Sequence, residues 1–152
     1  FDYEGGNYTK LLWVAEGATS YYAGILVQRA GLMSDRDFLN AKADQIKALQ
    51  ERPGRFQTSL EESSWDAWIK YYRQDQNSIN NQISYYDKGD IVSFLLDVEI
   101  RTASRGAKSL DDVFRYLYAE FGKKDRNFTP EDYQKAAEMM AGRSLDDFFR
   151  RY

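Results

Sequence analysis

The chain has no histidine and no cysteine among its 152 residues. Without histidine there is no imidazole to serve as a general base or metal ligand. Without cysteine there is no disulfide, no thiolate nucleophile and no thiolate metal site. The missing cysteine does not fix the compartment, because many exported proteins also lack it. No apolar run approaches the roughly 20 residues that a membrane-crossing helix needs. No charge of one sign dominates: 21 basic residues face 24 acidic ones, for a net charge of -3. A general nucleic-acid binder would show a basic face, so that class of partner is excluded. There is no glycine-rich phosphate loop and no paired zinc-ligand motif. Any complete catalytic site built from this chain alone would have to use carboxylates, tyrosines, serines or lysines. A two-carboxylate hydrolase is formally open, but no spacing among the acids singles out a pair.

What is present is apolar and aromatic residue set in helical patterns. The chain is 43% hydrophobic and 16% aromatic, and its length suits one domain with a sizeable core. Strand-like alternation is scarce and helix punctuation recurs. A first helix is predicted from about Thr9 to Ala30, with Gly31 as its left-handed terminator. Gly17 and Gly24 lie inside it, each costing about 1 kcal/mol relative to alanine, which implies close packing or a nearby ligand. A second helix is predicted from Ser34 to about Arg52, stopped by Pro53. A third begins at Ser59, with Glu62 as capping partner, and runs through Trp65-Asp66-Ala67-Trp68-Ile69-Lys70-Tyr71-Tyr72. That aromatic run is expected to pack into the core, with substrate or polymer contact as the less favoured reading.

The polar stretch 74–81 reads as a loop. A fourth helix, about Ile83 to Ala103, carries Ile91, Leu95, Val98 and Ile100 as its apolar positions. A fifth starts after Ser109 and presents Leu110, Val113, Phe114, Leu117, Tyr118 and Phe121 on one face, ending at Gly122. Thr129-Pro130-Glu131-Asp132 is a cap, a first-turn proline and two acids that suit the helix dipole. That helix ends at Gly142, and Ser144-Leu145-Asp146-Asp147 opens a last short one. The fold class is therefore all-α, with six or seven helices.

One residue stands out chemically. Glu16 sits in the apolar helical run Leu12-Trp13-Val14-Ala15-Glu16-Gly17. A buried carboxylate needs a cation, a metal or a shifted pKa, because desolvating it alone costs several kcal/mol or more. Glu16 is thus a metal-ligand candidate whose co-ligands lie outside the chain. A salt bridge to lysine or arginine, or plain exposure, are its other readings. Thr19 and Ser20 lie one turn further on and are candidates to support it, with helix packing the blander role.

The motifs Phe1-Asp2-Tyr3-Glu4, Asn7-Tyr8-Thr9, Leu12 to Gly17 with Thr19-Ser20-Tyr21-Tyr22, Asp66 to Tyr72, and Ser84-Tyr85-Tyr86-Asp87-Lys88-Gly89 resemble, in this order, the glycyl aminopeptidase family. The likeness continues through Ser109-Leu110-Asp111-Asp112 to the end. These are gluzincin metallopeptidases with a thermolysin-like catalytic domain, often followed by a PDZ domain. The resemblance implies that residues 1–152 form a single helical domain, the C-terminal helical lobe of such a catalytic domain. It implies that an HExxH helix, with two zinc-binding histidines and a general-base glutamate, lies on a lobe outside this chain.

Glu16 would then be the third zinc ligand, from the Trp-x-x-Glu-Gly motif. Tyr86, in Tyr86-Asp87-Lys88-Gly89, would be the catalytic donor to the oxyanion, with Tyr85 as the alternative if the register shifts by one and one more core tyrosine as the blander reading. The partners implied are a peptide or protein substrate, the N-terminal lobe and a possible downstream PDZ domain. Zinc is expected in the full-length protein and none in this segment alone, which is expected to be inactive. One departure concerns residue 18. The family places an aromatic after the Glu-Gly pair where this chain has Ala18, a change expected to open the pocket wall. The chain starts without methionine and is read as a segment of a longer protein, so the lack of targeting signals carries no information about localisation. The rival reading is a non-catalytic helical module that binds a protein or glycan through its aromatic surfaces, in the manner of a pseudopeptidase.

Overall fold

The structure, a computed structural model, describes residues 4–152. Phe1, Asp2 and Tyr3, part of the first motif, lie outside the described residues. Among those described there are eight α-helices and no strand. They are α1 (Ala18–Arg29), α2 (Asp35–Gln50), α3 (Leu60–Trp65), α4 (Ser78–Asn81), α5 (Asp87–Ala103), α6 (Leu110–Glu120), α7 (Pro130–Ala141) and α8 (Asp146–Arg151). None is long and apolar enough to cross a membrane. The chain forms two compact units, one ending at Val92 and the other running from Ser93 to Tyr152, with α5 passing from the first into the second.

In the first unit the predicted first helix is not uniform. Trp13–Gly17 is a π-helical turn, and regular α-helix begins only at Ala18. Two hydroxyls of the following turn bond back to it: Thr19 Oγ1 donates to the Ala15 oxygen and Ser20 Oγ to the Glu16 oxygen at 2.8 Å. Gly31 ends the following turn at φ +74°, where a Cβ would be strained. Ser34 caps α2, its hydroxyl accepting from Asp37 N–H at 3.1 Å. Lys42 of α2 and Asp90 of α5 form a buried ion pair. Gln45 closes it into a ring, accepting from Lys42 at 3.0 Å and donating to Asp90 at 3.0 Å. Every polar atom of this buried set has a partner, which is the condition for tolerating a charge pair in a core.

The predicted third helix stops early. Ser59 caps it as expected, accepting from Glu62 N–H at 3.1 Å, but α3 ends at Trp65 and residues 66–72 follow as irregular turns. The aromatic run is not core. Trp65, Trp68, Ile69 and Tyr72 are 47%, 52%, 62% and 57% exposed, and in the run from Trp65 to Tyr72 only Ala67 is fully buried. The stretch 74–81 is not wholly loop, because Ser78–Asn81 makes one helical turn.

In the second unit the start signals hold. Ser109 with Asp112 and Thr129 with Asp132 both form capping boxes, and Pro130 opens α7. Asp97, buried in α5, accepts from Leu110 N–H at 2.7 Å and from Arg101 Nε at 2.9 Å, so it fastens the start of α6 to α5. Ala136, Ala137 and Ala141 bury the small face of α7, with Leu110, Val113 and Leu117 buried on α6. Two expected core positions face outward instead: Val98 is 44% and Tyr118 is 63% exposed. The buried stripe of α5 is Ile91, Val92, Leu96 and Ile100. Gly142 ends α7 in the left-handed conformation, whereas α6 is closed by Phe121 and a 3-10 turn at Gly122–Lys124.

Candidate metal-ligand and oxyanion site

The site is built where two chain segments cross on glycine. A Cβ on Gly17 would lie 2.5 Å from Gly89 Cα and 2.8 Å from the Tyr85 oxygen. A Cβ on Gly89 would lie 2.8 Å from the Trp13 oxygen and 3.0 Å from Gly17 Cα. Neither helix can carry a side chain at that point, so backbone meets backbone. The implied close packing at Gly17 is therefore against α5. The crossing sets Glu16, one residue before Gly17, beside Tyr85 and Tyr86, which lead into α5.

Adjacent serines on α3 hold both segments. Ser64 Oγ accepts from Trp13 N–H at 3.1 Å and donates to the Leu60 oxygen at 2.8 Å. Ser63 Oγ donates to the Ile83 oxygen at 2.9 Å. Two more bonds pin the same extended stretch: Thr58 Oγ1 to the Asn81 oxygen at 2.6 Å and Arg52 Nε to the Gln82 oxygen at 2.9 Å. Three successive carbonyls are thus satisfied by side chains, which fixes the approach to Tyr85 and Tyr86 without a helix. Ser63 and Ser64 were not singled out from the sequence. The available signal was a pair of small hydroxyls inside a helix beside large aromatics.

Tyr86 is half-buried and stacks on Tyr85, their ring centres 4.7 Å apart. Tyr71 lies 5.0 Å from Tyr85 and 5.8 Å from Tyr86. Tyr85 is 1% exposed, and its hydroxyl donates to Tyr72 at 3.3 Å. Desolvation pushes Tyr85 well above the ordinary tyrosine range, with hydrogen bonds to Tyr72 and Tyr86 adding to the shift. Desolvation also pushes Tyr86 up to about 12, the Tyr72 hydrogen bond adding to it, Tyr85 opposing it and the negative charge of Glu16 raising it further. Glu16 and Tyr86 are therefore within electrostatic reach of one another. At neutral pH Tyr86 is a neutral phenol, able to donate a hydrogen bond.

Glu16 is half-buried, and among the described residues no cation or hydrogen-bond donor takes its carboxylate. Among the described residues, then, no salt bridge accounts for Glu16. Thr19 and Ser20 bond to backbone carbonyls of the π turn rather than to that carboxylate. Ala18 is 1% exposed and lies in the core, so it opens no pocket wall. Among the described residues no three acidic, histidine or cysteine side chains gather closely enough to hold a metal ion. A catalytic zinc site needs three protein ligands and an open position. The donor set here fits one of those ligand positions and no more.

An aromatic ladder leads away from the site. Trp68 lies 5.6 Å from Tyr72, and its Nε1 donates to the Asn7 oxygen at 3.3 Å. Tyr8 lies 5.7 Å from Trp65.

Comparison with known proteins places these features. A crystal structure of an aminopeptidase N family protein from Idiomarina loihiensis superposes with a TM-score of 0.91 at 31% identity, over 99% of this chain. The present chain spans only 26% of that protein's chain. Among curated proteins, none matches. The M61 glycyl aminopeptidase family matches residues 1–92, which contain Glu16, Tyr86 and the glycine crossing. By that match, over more than half of its length, the chain belongs to the M61 glycyl aminopeptidase family.

Proposed function

We propose that this chain is the C-terminal helical lobe of a thermolysin-like, zinc-dependent peptidase domain, supplying Glu16 as a metal ligand and Tyr86 as the oxyanion donor. The observation that carries the reading is the pairing of an uncompensated carboxylate with a phenol that feels its charge. Family membership supports zinc as the metal and peptides, including those with N-terminal glycine, as substrates. The other two ligands and the general base belong to a lobe outside this chain.

Bound zinc would supply Lewis acidity at the scissile carbonyl. Glu16 would hold its ligand position from the π turn, whose widened geometry aims the side chain away from the regular helical register. Tyr86 would donate its proton in a hydrogen bond to the oxygen that gains negative charge as water adds to the carbonyl. Such a donor contributes about 3–4 kcal/mol when it is aimed at the developing charge. Its elevated pKa keeps the proton on the phenol, so it stabilises charge without losing the proton. Tyr85 and Tyr72 would orient it. The exposed ladder of Trp68, Tyr72 and Tyr8 favours a peptide chain lying along this face.

The same ladder gives the binding-module reading its one supporting observation. The two readings separate on Tyr86→Phe in the full-length protein. The peptidase reading expects kcat to fall by about 10²–10³-fold with metal content unchanged. Unchanged turnover of a peptide substrate, or no turnover in the unaltered protein, favours the binding module.

A further inference from the structure

Lys88, like Asp87 beside it, has no part in the proposed chemistry of the Tyr86-Asp87-Lys88-Gly89 motif. It is only 8% exposed, yet among the described residues no carboxylate pairs with it. Burial alone lowers its pKa, with no neighbouring acid to restore it. A buried, unpaired ammonium is costly, and a native chain normally provides a partner. Asp90, the buried acid two residues on, is already held by Lys42 and Gln45.

Lys88 lines a cleft of about 300 Å³ between the end of α2 and the first turn of α5, a helix of 17 residues. Arg52 lines the same cleft and is oriented there by its Nε bond to the Gln82 oxygen. Ala48 and Leu49 give it an apolar side, and Ser84 and the exposed Asp87 complete the rim. Two cations therefore line a space whose one acid is at the rim, the N–H groups of Asp87 and Lys88 being already taken by Ser84.

We propose that this cleft binds a small zwitterion of the free amino-acid type. Its carboxylate sits against Lys88 and Arg52, its ammonium against Asp87, and its short side chain against Ala48 and Leu49. The guanidinium fork and the ammonium suit a carboxylate. Asp87 disfavours a dianion such as phosphate and rewards a ligand with a positive group beside its negative one. The inference rests on this cleft and not on the peptidase reading.

The test is calorimetric titration of the full-length protein with glycine, acetate and inorganic phosphate, repeated on Lys88→Met and Asp87→Asn. Circular dichroism checks that each variant is folded. Glycine is expected to bind at one site, about tenfold tighter than acetate, because acetate forfeits one charge-assisted hydrogen bond. Phosphate is expected to bind least. Lys88→Met should abolish the site. Asp87→Asn, which removes the one negative charge at the rim, should weaken glycine and tighten acetate, so that the preference for glycine disappears. Phosphate binding tightest, a glycine preference that survives Asp87→Asn, or no binding of any probe to the unaltered chain would each overturn the proposal.

Discussion

Gly17 and Gly89 meet backbone to backbone, and a Cβ on the first would stand 2.5 Å from the Cα of the second. That contact sets the Glu16 turn against the Tyr85–Tyr86 turn. Because the atoms in the way belong to backbone, no side chain can swing aside. Alanine at either position should destabilise the chain by about 2 kcal/mol or more, despite alanine's better helix propensity. Urea denaturation of Gly17→Ala and Gly89→Ala checks this, with Gly24→Ala as the control. There an added Cβ would meet only Phe38 at an ordinary 3.4 Å.

Ser63 and Ser64 should matter more than exposed serines. Ser64→Ala leaves the Trp13 N–H without its acceptor, and Ser63→Ala leaves the Ile83 carbonyl without its donor. Each orphaned buried group should cost about 1–3 kcal/mol. The loss reads out as a lower denaturation midpoint with an unchanged slope.

The Lys42–Asp90 pair should show strong non-additivity. Lys42→Met alone strands a buried carboxylate and Asp90→Asn alone strands a buried ammonium, and breaking such a pair costs about 3–5 kcal/mol. The double variant should recover most of that loss, because its remaining groups are neutral. A double-mutant cycle on chemical stability measures the coupling.

Tyr86 should titrate late. Its pKa rises from 10.0 to about 12 in the fold, so deprotonation is harder in the folded chain than in the unfolded one. Its contribution to stability is whole below about pH 10 and is lost as pH rises through about 12. Glu16→Gln removes one negative charge from its surroundings, and the Tyr86 titration should then move to lower pH. Ultraviolet titration of the phenolates, with Tyr86→Phe identifying the band, follows the shift.

Much of the fold was legible because its signals are local. Ser34, Ser59, Ser109 and Thr129 cap the helices expected of them. Gly31 and Gly142 terminate others with positive φ. The π turn at Trp13–Gly17 was not legible, since every residue there suits an ordinary helix and the widening coincides with a crossing 72 positions away at Gly89. The aromatic run failed for a different reason. Helical spacing places Trp65, Trp68 and Tyr72 on one face but does not say whether that face meets core or water. The helix ends at Trp65, all three rings are exposed, and Trp68 packs on Tyr72 while Trp65 packs on Tyr8. Glu16 was singled out by its place in an apolar run, and Tyr86 only by the family motif. Their neighbourhood depends on the glycine crossing and on Ser63 and Ser64, which periodicity does not reveal.

The most direct test of the account is the zinc content of the full-length protein carrying Glu16→Gln, measured by elemental mass spectrometry beside the unaltered protein and Tyr86→Phe. The amide keeps the size of the side chain and removes the anionic ligand. The account predicts near-stoichiometric zinc in the unaltered protein and in Tyr86→Phe, and a loss of at least about tenfold in affinity with Glu16→Gln. Full zinc occupancy in Glu16→Gln, with a folded chain, would contradict it.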